Sequence, residues 1–112
     1  MAHESMTLQQ LQDTVNQWIS QWEAGYWSPL ENLARLTEEV GELAREINHD
    51  HGPKKKKSTE AESSVAAELG DILFVIVSIA NSLDISLDEA MEQTMQKYRV
   101  RDADRFERRK DE

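Results

Sequence analysis

The chain has no cysteine. This single absence removes a disulfide framework, a thiolate nucleophile and a zinc–thiolate centre, and with them redox chemistry by protein thiols. It also fits the cytoplasm, which is the expected compartment. Positive charge is scarce as well: 13 Lys and Arg stand against 22 Asp and Glu, a formal net charge of -9 at pH 7. A balance of that sign argues against a nucleic-acid backbone as the main partner. Long apolar runs are missing too. The longest, Ile72 to Leu83, has about a dozen residues, whereas a membrane-crossing helix needs roughly 20. The opening MAHESMTLQQ shows no basic stretch followed by an apolar core, so neither a secretory signal nor a membrane is expected.

What remains is a chain of 112 residues, 38% of them hydrophobic. That length makes a single domain over residues 1–112, large enough for one modest core. A compact monomer of this composition would be marginal, so part of its apolar surface is expected to be buried by copies of itself, as a homo-oligomer.

Leu8, Leu11, Val15, Trp18, Ile19 and Trp22 recur at helical spacing, with Thr7 and Gln10 as a capping box and Gly25 as the stop. Trp22 falls on that stripe and is expected in the core. In YWSPLE, Ser28 caps a second helix, Pro29 suits its first position and Glu31 completes the box. This helix is expected to run to about Asn48. A loop follows over about 49–58, marked by Gly52-Pro53 and the four lysines Lys54 to Lys57, which read as a solvated loop. Thr59 with Glu62 forms a third box, opening a helix to about Leu83. Ser86 with Glu89 forms a fourth, opening a helix through about Arg108, and the last residues, about 109–112, fray. No strand-like alternation or internal repeat appears. The expected fold is all-α, a four-helix bundle.

Two of these helices carry clustered acids. On a helical wheel Glu38, Glu39, Glu42 and Glu46 fall within one arc of roughly 100°, opposite Leu36, Val40, Leu43, Ala44 and Ile47. Taken alone, the second helix is amphipathic with a solvated acidic face, and Glu46 is expected on the surface. The third helix differs, because between Val65 and Leu83 apolar residues point in almost every direction, as in a helix enclosed by neighbours. Glu68 and Asp71 continue a face that is apolar further along. An ionised carboxylate in such surroundings must be paired, protonated or bound to a cation, and this helix has no basic residue from Val65 to Leu83. A divalent cation resolves the conflict economically. An all-oxygen ligand set favours Mg²⁺, with Mn²⁺ as the second choice.

If the third and fourth helices pack antiparallel about a turn at Ile85, Asp71 lies level with Arg99, and Lys97 and Arg101 bracket that level at i, i+4 spacing. Two cations would then point at whatever the metal holds. Carboxylates, a metal and a Lys/Arg pair suit a polyphosphate; salt bridges between those cations and the acids are the plainer alternative. Trp27, Tyr26 and Trp22 offer rings for stacking on a base. Trp27, the least constrained by the helical stripe, is the candidate base-binding residue.

The combination of EEVGEL (Glu38 to Leu43), ELGDILF (Glu68 to Phe74) and KYRVR (Lys97 to Arg101) resembles the MazG-like nucleotide pyrophosphohydrolases, a family with Glu-Glu-x-x-Glu and Glu-x-x-Asp on two helices of an all-α fold. The resemblance runs from Tyr26 through Arg101. It implies hydrolysis of a nucleoside triphosphate between its α and β phosphates, in the manner of enzymes that remove unwanted or damaged nucleotides. Carried over by position, Glu39, Glu42, Glu68 and Asp71 correspond to Mg²⁺ ligands and Lys97 and Arg101 to phosphate contacts. Glu38 corresponds to a residue that positions or deprotonates the attacking water. A dimer, or a tetramer of paired dimers, is implied as well.

Three other readings stay open on sequence grounds. Phosphoribosyl-ATP pyrophosphohydrolase shares the acidic helices, and its substrate separates it from the first reading. A di-iron carboxylate bundle needs a Glu-x-x-His pair on each of two helices; Glu46 and His49 supply one and no second exists. A non-enzymatic helical interaction module would use the acids as a charged surface and the third helix as an oligomer seam.

Overall fold

The structure, a computed structural model, describes residues 4–53 and 63–110. Four helices and no strand are found among the described residues: α1 (Leu8–Ser20), α2 (Pro29–His51), α3 (Val65–Ser82) and α4 (Leu87–Arg101). The all-α expectation holds. The first two capping boxes form as read, Thr7 with Gln10 and Ser28 with Glu31, each side chain bonding the other's backbone N–H. Ser86 accepts from the Glu89 N–H at the start of α4. Thr59 and Glu62 lie outside the described residues, as do Lys54 to Lys57; Ser64 caps α3.

Two helix ends differ from the reading of the sequence, each for a local reason, and one helix pairing differs as well. α2 extends through His49 and His51, because the helix breaker is Pro53 rather than the polar residues before it. Gly52, the residue ahead of that proline, is extended (φ -102°, ψ 179°), as a residue preceding proline prefers. At the other end of the chain, α4 stops at Arg101 rather than Arg108. There Arg101 and Arg105 both pair with Asp102, at 3.0 and 3.4 Å, and the chain folds into a turn around that carboxylate.

The third difference is topological. α2 packs on α3, and α1 packs on α3 and on α4, whereas α3 and α4 do not run packed side by side. The antiparallel α3–α4 pairing expected from the sequence is therefore corrected. The turn between them is a Schellman motif: the Ile85 N–H bonds the Ala80 carbonyl at 2.8 Å and the Asp84 N–H bonds that of Asn81 at 3.2 Å, with Asp84 left-handed at φ 59°. Gln12 of α1 then captures the emerging chain. Its side-chain amide donates to Asn81 Oδ1 and the Ile85 carbonyl and accepts from the Leu87 N–H, at 2.8 to 2.9 Å. Asn81 in turn donates to the Gln12 carbonyl and the Tyr26 hydroxyl, and Tyr26 donates to Asn16. One buried amide thus ties α1 to the end of α3 and the start of α4, steering α4 toward α1.

Val15, Val75, Val77 and Ala80 form the buried apolar core, accompanied by Gln12, Asn32, Glu46, Glu68 and Ser78. α3 is not enclosed on every side as its sequence suggested, for Leu69, Leu73 and Ile76 form an exposed face. It is long and apolar enough to cross a bilayer by length and composition, with 18 residues and a mean hydropathy of 1.6. Glu68 and Asp71 nevertheless occupy its first two turns.

Candidate metal centre and the adjoining aromatic cavity

The orientation of α2 decides the character of the site. Asn32, Glu39 and Glu46 follow one another at seven-residue intervals, and this polar line turns inward: Glu46 is 5% exposed and Asn32 3%. The apolar line one residue on, Leu33, Val40 and Ile47, is exposed, at 54%, 49% and 42%. Glu46, expected at the surface, is therefore buried, whereas Glu38 and Glu42 of the same arc stay exposed. Packing of α2 on α3 brings the inner edge of its acidic arc to the first turn of α3, where Glu68 is buried.

Carboxylate oxygens of Glu39, Glu42 and Glu68 converge to within 4.8 Å of one another. Ser63 donates to Glu68 Oε1, while Glu68 Oε2 and Glu39 Oε2 are buried without a hydrogen-bond partner among the described residues. Burial pushes the Glu39 carboxyl above its ordinary pKa; the charges of Glu42 and Asp71 push it further, Arg35 offsets part of the rise, and Glu68 adds to it. Like charges crowded around orphaned oxygens are unfavourable for the protein alone. An oxygen-seeking divalent cation removes both penalties, so the residues present fit such an ion. Asp71 is exposed and stands outside the three-carboxylate group, near enough for its charge to act on Glu39.

Beside the acids lies a cavity of about 170 Å³, lined in part by Trp22, Tyr26, Trp27, Asn32, Arg35 and Phe74. All three rings singled out in the sequence reach it. Trp22 is not a core residue, however. It lies beyond the end of α1, half-exposed and edge-on to Trp18 at 5.7 Å. Gly25, left-handed at φ 64°, allows the tight turn that sets Tyr26 and Trp27 against α2 and α3.

A model of the MazG nucleotide pyrophosphohydrolase domain matches residues 27–106, most of the chain. The chain belongs to the MazG nucleotide pyrophosphohydrolase family. A Bacillus subtilis relative, the uncharacterised protein YpjD, is 52% identical over 105 residues, covering 94% of this chain and 95% of its own. The crystal structure of YpjD aligns with a TM-score of 0.76, over 86% of this chain and 98% of that one. That of a Bacillus-conserved MazG protein, a nucleotide pyrophosphohydrolase, aligns with a TM-score of 0.74 at 46% identity, covering 86% and 93% of the two chains.

Within this MazG fold the remaining sequence candidates are dispersed. Glu38 is exposed on α2. Lys97 and Arg101 lie on α4, which packs on α1, so the level alignment with Asp71 is not realised within one chain. Both cations flank the Tyr98 ring, at 5.2 and 4.9 Å, and Arg101 is bonded through two nitrogens to Asp102. Asn32, Phe74 and Ser78 also line the cavity, and the sequence had not marked them as such. Asn32 sits two heptads before Glu46, a signal visible only once the polar edge of α2 is known to face inward.

Proposed function

We propose that this MazG protein is a Mg²⁺-dependent nucleoside triphosphate pyrophosphohydrolase, with Mn²⁺ as an alternative ion. It cleaves between the α and β phosphates to give the nucleoside monophosphate and pyrophosphate, and serves in the cytoplasm to clear unwanted or damaged nucleotides. The observation that carries this reading is the pair of buried oxygens, on Glu39 and Glu68, that have no hydrogen-bond partner among the described residues and lie inside a three-carboxylate cluster adjoining an aromatic cavity. Glu39, Glu42 and Glu68 would hold the ion, with Asp71 close enough to contribute charge. The ion supplies charge neutralisation for the phosphates and acidifies bound water. The cavity takes the base, with Trp27 as the stacking ring, and Glu38 positions or deprotonates the attacking water.

A second copy of the chain belongs to the proposal, as a dimer or a dimer-based tetramer. The chain exposes 9433 Å², against about 6300 Å² for a compact monomer of its mass. Its radius of gyration of 18.1 Å likewise exceeds the roughly 13 Å of a compact domain of this length. Leu33, Val40 and Ile47 on α2 and Leu69, Leu73 and Ile76 on α3 are the surface a partner would cover. In such an assembly Lys97 and Arg101 serve as phosphate contacts.

The test is a panel of ordinary and modified nucleoside triphosphates, with phosphoribosyl-ATP included, assayed with Mg²⁺ while pyrophosphate and orthophosphate are scored separately. Pyrophosphate with the monophosphate is the expected product pair. Orthophosphate as the sole phosphate product refutes α,β cleavage, and activity confined to phosphoribosyl-ATP moves the assignment to that enzyme.

A further inference from the structure

Arg35 stands at the boundary between the carboxylates and the aromatic cavity. Its guanidinium carbon lies 5.4 Å from the centre of the Trp27 ring and 5.8 Å from that of Phe74, one ring from the α1–α2 connection and one from α3. Its Nε is 3.9 Å from Glu39 Oε1, an ion pair too long to be a hydrogen bond. Among the described residues the guanidinium makes no hydrogen bond at all. An arginine whose task was to neutralise Glu39 would be expected to fork onto it with two short bonds. Instead the cation is seated by two rings, about one third of its side chain is exposed, and its five N–H donors are unspent.

A nucleotide whose base enters the cavity and whose outer phosphates reach the acids must pass Arg35, because this one side chain both lines the cavity and faces Glu39. The group that joins those two ends is the sugar with the α-phosphoryl. We propose that Arg35 is a catalytic residue that donates to the nonbridging oxygens of the α-phosphoryl group. This assignment rests on reading the acids and the cavity as two ends of one nucleotide site. In the reaction the water oxygen bonds to the α-phosphorus and the bond to the α,β-bridging oxygen breaks. That oxygen leaves with its electron pair as part of pyrophosphate, and the proton of the water passes to a carboxylate. Arg35 keeps its own proton throughout and offsets the charge gathering on the phosphoryl oxygens. The Trp27 and Phe74 rings hold the guanidinium in place without consuming its donors, so they preorganise it for that task.

Arg35→Gln and Arg35→Lys in the full chain test this. The first readout needs no turnover: calorimetric binding of the four deoxynucleoside monophosphates, and of inorganic pyrophosphate, each with Mg²⁺. Arg35→Gln should weaken the best-bound monophosphate about tenfold or more, the loss of a charged hydrogen bond, and leave pyrophosphate affinity within about twofold. In turnover its kcat should fall by about 10²-fold or more, as when a transition-state donor is removed, with a smaller change in KM. Arg35→Lys keeps the charge without the planar fork and should fall between. It decides the matter if the glutamine variant does not fold. Unchanged monophosphate affinity with unchanged kcat overturns the assignment. So does a loss confined to pyrophosphate, which would place Arg35 at the outer phosphates, or a wild-type protein that binds no monophosphate. A wild-type protein that binds monophosphate through Arg35 yet cleaves no triphosphate upholds the α-phosphoryl contact and sinks the hydrolytic reading instead.

Discussion

Replacing Glu68 with Gln should make the protein more stable in EDTA and less responsive to Mg²⁺. The three carboxylates place oxygens within 4.8 Å of one another. Two unit charges at that separation repel by about 3.5 kcal/mol at an effective dielectric of about 20 and about 0.9 kcal/mol in bulk water. Glu42 is exposed and the Glu39 side chain retains 14% of its accessibility, so the lower part of that range applies. Removing the Glu68 charge relieves repulsion with both neighbours, together with the burial of a charge whose Oε2 has no partner among the described residues. Glutamine preserves the shape and can still accept the Ser63 hydrogen bond at Oε1. A net gain of about 1 to 2 kcal/mol is expected, or roughly 4 to 8 °C in Tm. Thermal unfolding followed by circular dichroism, first in EDTA and then across a Mg²⁺ titration, measures it. An ion at about 100 times its Kd adds about 2.7 kcal/mol to the wild-type protein and much less to the variant, so the order of the two melting temperatures reverses as Mg²⁺ rises. A variant that is less stable in EDTA, or that gains as much from Mg²⁺ as the wild type, would refute the reasoning.

Glu39 gives a pH counterpart in EDTA. Its folded-state pKa lies above the ordinary carboxylate value, so the folded state holds the proton more tightly and this group's contribution falls as pH rises from that value through the raised one. Denaturant titrations across that window should show a decline that Glu39→Gln removes. Asp84→Gly should raise stability by about 0.5 kcal/mol in urea unfolding, since the left-handed φ of 59° favours glycine, with part of the gain returned as unfolded-state entropy. Gln12→Ala should cost about 3 kcal/mol, because it leaves Asn81 Oδ1, the Ile85 carbonyl and the Leu87 N–H without their partner; a loss below 1 kcal/mol would mean water replaces the amide.

How much of this was legible beforehand follows from what is local. Thr7, Ser28 and Ser86 announced three helix starts because a cap is satisfied within one turn, and Pro29 could only stand where it does. Glu39, Glu42 and Glu68 converge across two helices, which the family resemblance implied and local pattern alone did not. What failed was whatever needed a neighbour. Periodicity located the apolar stripe of α2 but not what lies against it, and in a single chain the line through Asn32, Glu39 and Glu46 faces inward while Val40 and Ile47 look out. Lys97 and Arg101 were placed by assuming a hairpin, and the direction of α4 is set by Gln12, an α1 residue nothing in the local sequence connects to it. Trp22 matched the stripe of α1 but stands one residue past its C-cap, Gln21, where helical phase no longer applies.

α4 buries none of its residues, and that gives it a separate thermodynamic life. A helix of 15 residues with no buried residue is close to the length at which isolated helices are marginal in water. What sustains it is the Ser86 cap, acids in its first turn, Arg99 and Arg101 in its last, and its contact with α1. Its amides should therefore open in hydrogen exchange long before those around Val75 and Val77, and their protection should climb with protein concentration as copies associate. The two cations Lys97 and Arg101 thus ride on a helix with no buried residue, so if copies of the chain associate as proposed, that association would set how firmly both are held.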